Sequence, residues 1–305
     1  MGAVTTYTAQ AGIFAVGTTA QAWVEFDRHR RTPVRTLASA VANLREPRTT
    51  MAGVNLVAGF RPELWRSLLP REIPRRVAGY DHDLVGADGY VMPGTQHDVV
   101  LWFAGGSPDV VFDEVRLAIQ GLKSVASVTE ETHGWPYHQD RDLTGFVDGT
   151  ENPTLIEAPG VAVIPEGKPG AGGSILLLQK WKHEANRWES LSVPAQERVI
   201  GRTKAESEEL DPKPPDSHAS RTDQDVFGKI FRRNVPYGTA SDHGTIFVGF
   251  CAEQRPLARM LESMAGVRDG VRDALTRYTI PVTGSYYFVP SIEAVRRFAS
   301  VPSSG

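Results

Sequence analysis

Gly145-Phe146-Val147-Asp148-Gly149-Thr150-Glu151-Asn152-Pro153 sets one carboxylate in a tight glycine turn, and the reading of the whole chain works outward from it. A glycine beside an acid marks either a plain turn or a carboxylate directed into a cavity. In the second case the successive backbone amides of Gly149, Thr150 and Glu151 form a concavity for an anion. Two later segments give the carboxylate partners: Ser217-His218-Ala219-Ser220-Arg221-Thr222-Asp223 and Phe231-Arg232-Arg233-Asn234-Val235-Pro236-Tyr237-Gly238. One imidazole, one carboxylate and one guanidinium thus come from three separate places.

Each partner has two readings. His218, one of eight histidines, is either a surface or core residue or a metal ligand. A ligating imidazole places Nε2 on iron and donates its other N–H to a carboxylate or carbonyl, for which Asp273 is a candidate. Arg232 and Asn234 share a face of any extended segment. They are either charge and polarity near the turn at Pro236-Tyr237-Gly238, or groups that stabilise negative charge developing on a bound peroxide. Arg233, on the opposite face, fits a surface charge.

Around these motifs the chain alternates strand-like and helix-like patterns. In the first half, segment 12–26 reads as extended, 33–44 as a helix, and 54–60 as a strand. Pro62 opens a helix, and 97–103 is a second strand. Ser107-Pro108-Asp109 caps a long helix with a stripe of Val111, Val115, Ala118, Ile119 and Leu122, and 125–129 is again a strand. The second half offers strands at 174–181, 245–251 and 286–289, with helices at 194–200 and 256–264. Each half therefore reads as a β-α-β unit with further strands, a ferredoxin-like half used twice. Segment 133–143 reads as a linker or crossover, and the charged, proline-rich 202–216 as an exposed loop leading into His218.

Composition narrows the function. Hydrophobic residues make up 41% and charged residues 23%, which gives enough apolar surface for a sizeable core. The net charge of -3 supplies no electrostatic footprint for nucleic acid. The single cysteine, Cys251, lies in an apolar run and excludes an intrachain disulfide. No apolar run reaches the ~20 residues of a membrane span, and no signal-peptide pattern opens the chain. The Met1-Gly2 start matches a myristoylation pattern only loosely. A cytoplasmic location is expected. His97, His133 and His138 lack zinc-ligand spacing, and Gly170-Ala171-Gly172-Gly173 fails as a dinucleotide loop.

Taken jointly, the motifs resemble the dye-decolourising peroxidase family. Its GxxDG element is similar to Gly145–Gly149, continued by Thr150-Glu151-Asn152-Pro153. The Ser217-His218 segment with Arg221 resembles the proximal histidine block, and Arg232–Gly238 the distal arginine block of the compact bacterial B subfamily. Val282-Thr283-Gly284-Ser285-Tyr286-Tyr287-Phe288-Val289-Pro290 resembles the closing strand. The likeness covers most of the chain. It implies an α+β dimeric barrel of two ferredoxin-like halves, 1–138 and 139–305, with antiparallel sheets, peripheral helices and haem b in the C-terminal half.

The resemblance further implies His218 as the axial iron ligand and Asp148, Arg232 and Asn234 around the peroxide site. Gly149, Thr150, Glu151, Arg221 and Asp273 are then placed about the cofactor. The implied reaction reduces hydrogen peroxide through an oxoferryl porphyrin radical and oxidises dyes, phenols or other small one-electron donors. Trp181, Trp188, Tyr237 and Tyr278 are candidate relays for bulky donors, and Glu151 a candidate surface metal or donor site. A homo-oligomer is expected. Docking in an encapsulin shell is not, since Val301-Pro302-Ser303-Ser304-Gly305 follows soon after the last helix pattern. Two other readings stay open: a haem-handling protein with slow peroxide turnover, and a haem-free barrel serving assembly or small-molecule binding.

Overall fold

The computed structural model describes residues 7–44, 53–138 and 141–299. The Met1-Gly2 start, the 301–305 end and residues 139 and 140 at the expected junction of the halves lie outside the described residues.

Eight strands carry the architecture: β1 Ala20–Arg28, β2 Val54–Phe60, β3 Val99–Gly105, β4 Ala126–Gly134, β5 Ser174–His183, β6 Phe231–Gly238, β7 His243–Cys251 and β8 Ser285–Val289. The N-terminal four pair in the order β2-β3-β1-β4 and the C-terminal four in the order β6-β7-β5-β8, all antiparallel. Both halves have the same ferredoxin-like order, so the repeat expected from pattern alone is present as topology. The halves close edge to edge, β4 on β6 at Gly134–Tyr237 and β8 on β2 at Phe288–Phe60. Closure leaves no free edge among these eight strands, and the short strand Thr279–Pro281 adds to β5.

Side chains alternate across each strand, which separates two environments. Trp23, Val57, Trp102, Leu176, Leu178, Phe231, Val235, Phe250 and Tyr287 pack together inside the barrel. The opposite faces are covered by helices. Pro108–Leu122 lays Val111, Val115, Ala118 and Leu122 on the N-terminal half, and Gln254–Met264 lays Leu257, Met260, Leu261 and Met264 on the C-terminal half. No helix among the described residues is long and apolar enough to cross a membrane.

Several local expectations need correction. Segment 12–26 is not all extended: a 3-10 turn at Ala11–Phe14 precedes β1. The strand expected at 125–129 runs on to Gly134, so the linker begins later than 133. The helix expected at Pro256 starts at Gln254, with the proline in the first turn where no intrahelical N–H is needed. Ser107 makes no backbone cap and instead donates its hydroxyl to the Asp109 carboxylate. Arg233 is not a surface charge. It donates to the carbonyls of Ile13 and Ala15 and lies over the Trp102 ring, 4.8 Å from its centroid. Burial there pulls its pKa down to about 10.

Candidate active site

A cavity enclosing about 1170 Å³ of atom-free space, mouth included, opens between the outer face of the C-terminal half-sheet and the helices and loops that cover it. Alternation decides which strand residues reach it. Leu177, Gln179, Trp181 and His183 of β5, Arg232 and Asn234 of β6, and Thr245 and Phe247 of β7 face the cavity. Helix Gln254–Met264 supplies an apolar wall of Leu257, Met260, Leu261 and Met264. The motif loop contributes Asp142, Phe146, Asp148, Thr150 and Glu151, and the short helix His218–Arg221 contributes His218.

Asp148 ties the motif loop to β6. One oxygen, Oδ1, accepts a short bond from Nη1 of Arg232 and a second from Nδ2 of Asn234 at 2.9 Å. The other, Oδ2, accepts the Asn234 backbone N–H at 2.8 Å. Burial alone depresses the Arg232 guanidinium, but the Asp148 charge and hydrogen bond more than offset it and hold its pKa above the usual value. Asn152 fixes the other side of the strand residue: its side-chain amide accepts Arg232 N–H at 3.0 Å and donates to Arg232 C=O at 2.8 Å, as a neighbouring strand would. Gly149 makes this possible. Its φ is +73°, and a Cβ there would stand 2.9 Å from the Asn152 amide nitrogen. Gly149 itself does not line the cavity.

His218 is the first residue of its short helix, capped by Ser217, whose Oγ accepts Ser220 N–H. Nδ1 of His218 lies 2.7 Å from Oδ2 of Asp273, a fully buried carboxylate whose Oδ1 accepts the Leu275 N–H. Nε2 is left for the cavity. Arg221 is placed elsewhere. It donates from Nε and Nη2 to the Ser263 carbonyl and from Nη1 and Nη2 to Asp269, which locks the histidine helix to the end of helix Gln254–Met264. It braces the site from outside the cavity lining.

Glu151 reaches the cavity, but its carboxylate is engaged, accepting from Arg202 at 3.0 Å and from the Gln224 backbone at 3.1 Å. Among the described residues no cluster of three or more metal-ligating side chains exists. Of the expected relays, Trp181 lines the cavity. Trp188 and Tyr278 pack edge to face with centroids 5.5 Å apart, and Trp188 donates to the Thr144 carbonyl. Tyr237 lies under Lys180 at one end of the barrel.

Asp142, Arg202, His183 and Gln179 are among the cavity residues that the sequence reading did not single out. Asp142 lay in the supposed linker, and burial pushes its carboxyl up to about 6 despite hydrogen bonds from Thr144. Arg202 opened the supposed exposed loop, yet its side chain is only 15% exposed. His183 sits two residues beyond the strand as read, and burial beside His243 lowers its pKa to about 4, so it is a neutral imidazole. Gln179 is buried with its amide nitrogen unpartnered. Strand alternation through 177, 179 and 181 was the available signal for Gln179 and, extended by one step, for His183.

This lining fits a haem: a broad apolar wall, an imidazole with one free nitrogen, a cation at Arg202 and an unpartnered amide donor at Gln179. The cavity lies on the outer face of the C-terminal half of a closed barrel of two ferredoxin-like halves. The family described as "Dyp-type peroxidase, C-terminal" matches residues 139–294. A dye-decolorizing peroxidase of Mycolicibacterium paratuberculosis is 33% identical over 273 residues, 86% of this chain and 75% of that protein. One from Rhodococcus erythropolis is 34% identical over 256 residues, 81% of this chain and 74% of that one.

Among solved structures, DyPB from Rhodococcus jostii RHA1 superposes with a TM-score of 0.86 at 29% identity, covering 95% of this chain and 97% of that chain. A variant of the R. jostii protein was solved in complex with heme, and it matches with a TM-score of 0.84 at 29% identity, covering 92% of this chain and 96% of that one. The chain belongs to the dye-decolourising peroxidase family of haem-dependent peroxidases. Neither the haem-handling reading nor the haem-free barrel is favoured by these relatives.

Proposed function

We propose that the cavity holds haem b, whose iron Nε2 of His218 would hold, and that Asp148, Arg232 and Asn234 act on hydrogen peroxide. The observation that carries this is the sharing of one cavity by His218, held at Nδ1 by the buried Asp273, and the Asp148–Arg232–Asn234 trio. Bound haem supplies the electron transfers that reduce peroxide and oxidise a donor. Asp273 accepts the Nδ1 proton of His218, which fixes the tautomer, aims the ring and raises the basicity of Nε2.

Asp148 uses three of its roughly four acceptor sites on β6, leaving one to take a peroxide proton and return it to the departing oxygen. Arg232 stabilises the negative charge that grows on that oxygen. Asn234 holds Asp148 in register, and the apolar helix wall keeps bulk water from the reacting atoms. Gly149, Thr150 and Glu151 shape the loop at the cofactor edge, and Arg221 steadies the His218 helix.

The donors are dyes, phenols and other small organic molecules. Those too large for the cavity exchange electrons through Trp188 and Tyr278 toward the surface. The chain falls in the compact B subfamily, with halves dividing near 138/139, and works in the cytoplasm as a homo-oligomer. The test is His218→Ala. Loss of haem, or a changed Soret and ligand-field spectrum, is expected; an unaltered spectrum at full occupancy would put the iron site elsewhere.

A further inference from the structure

Behind the sheet wall of the cavity, inside the barrel, lies a titratable pair that peroxide activation does not use. Tyr287 of β8 is fully buried, and Glu25 of β1 is 4% exposed. The Tyr287 hydroxyl donates a short hydrogen bond to Oε1 of Glu25. The sequence makes room for it: β2 lies on the way between these strands, and a Cβ on its Gly59 would come within 2.9 Å of Tyr287 Cβ. Burial holds the Glu25 carboxyl above the usual carboxylate range, which makes its ionised form a better base. Burial, followed by the charge of Glu25, also holds the Tyr287 phenol well above its ordinary value.

Among the described residues, no other tyrosine hydroxyl is hydrogen-bonded to a carboxylate. The neighbouring indoles lack a base. Trp102 donates to the neutral amide of Gln21, and Trp23 N–H has no partner. The cavity is close, because Tyr287 pairs with Leu176 of β5 and the next residue, Leu177, faces the cavity. The two sites stand back to back across one sheet. A charged network leads outward: Glu130 acts electrostatically on Glu25 and accepts from Lys180 at 2.7 Å, and both are part-exposed at the barrel end.

We propose that Tyr287, with Glu25 as its proton acceptor, is an internal one-electron donor to the haem cavity. One electron leaves Tyr287 for the peroxide-oxidised haem, which becomes one electron more reduced. The phenolic O–H bond breaks, and the proton bonds to Oε1 of Glu25. A neutral phenoxyl radical and a neutral carboxylic acid remain, so no uncompensated cation is left in the apolar barrel, where its desolvation would oppose the step. An external organic donor returns the electron, and the proton goes back along the same bond. The inference rests on haem occupying the proposed cavity.

The test is freeze-quenched electron paramagnetic resonance of haem-loaded protein mixed with stoichiometric peroxide and no donor, with and without ring-deuterated tyrosine. A tyrosyl signal that narrows on deuteration is expected in the wild type. It should be lost in Tyr287→Phe at an unchanged Soret band, diminished in Glu25→Gln, and retained in Tyr237→Phe. A wild-type signal in Tyr287→Phe, or no tyrosyl radical in the wild type, overturns the proposal. If Tyr287→Phe does not fold, the near-isosteric Glu25→Gln decides, and an undiminished yield there also overturns it. Failure of the cavity reading shows separately, as an unaltered Soret band in His218→Ala.

Discussion

Asp142→Asn should remove a pH-dependent penalty on the fold. The Asp142 carboxyl faces the cavity and accepts the Thr144 N–H at 2.8 Å and the Thr144 hydroxyl. Burial pushes its pKa from 3.8 up to about 6; the Thr144 bonds pull it back, and the Asp148 charge adds to the rise. Between those two values the native state binds more protons than the unfolded chain, so stability falls as pH rises through the window and is flat above it. The gap corresponds to about 3 kcal/mol at most, since each pKa unit is worth about 1.4 kcal/mol and water in the cavity screens part of it. Asparagine keeps an oxygen for both Thr144 bonds and never ionises. Urea unfolding of haem-free wild type and variant should therefore coincide near pH 4 and diverge by up to about 3 kcal/mol near pH 7, the variant being more stable. Carboxyls such as Asp269, held low by its Arg221 hydrogen bonds, work in the opposite sense, and the comparison cancels them. A wild-type-to-variant difference that is the same at both pH values would refute the reasoning.

Arg232→Ala leaves Asp148 with only the two Asn234 bonds and removes the charge proposed to stabilise the departing oxygen; the reaction followed by stopped-flow absorbance after mixing with peroxide should slow by about 10²–10³-fold. An unchanged rate would take the guanidinium out of the chemistry. Gly149→Ala forces a Cβ to φ +73° and against the Asn152 amide; thermal melts should show a loss of about 1–3 kcal/mol, and the peroxide reaction should slow because Asn152 no longer clamps Arg232. A melt unaffected by this substitution would mean that the turn relaxes freely.

Period-two and helical patterns made the elements legible, because each strand in both halves has an apolar face to bury. The order of the strands was legible only through the repetition of β-α-β, since pairing depends on long-range contacts that no local pattern encodes. In the site, Asp148, His218, Arg232 and Asn234 stood out because unusual residue types recur in tight motifs. Asp142, Arg202 and His183 did not, because each sits at the border of a segment that reads as loop or strand end, and their burial comes from elements far away in the chain. Arg233 failed for the converse reason. Alternation correctly put it opposite Arg232, but only barrel closure makes that face an interior one, with the carbonyls of Ile13 and Ala15 to receive the guanidinium.

Closure also explains why one half is solid and the other hollow. In the N-terminal half the outward residues of β1, β2 and β3 include Phe26, Phe60 and Phe103, all fully buried with Trp65 and helix Pro108–Leu122 in one continuous core. In the C-terminal half the corresponding face presents Gln179, Arg232, Asn234 and Thr245, whose polar groups are poorly suited to dry contact with a helix. The connection from β5 to β6, residues 184–230, is longer than residues 29–53 between β1 and β2, and it carries His218 and Arg202 over the sheet. Polar residues on one face, together with a long crossover above them, turn a core-forming half into a hollow one without changing strand order. The Asp148 and Asn152 contacts to β6 then hold the rim of that cavity to the sheet.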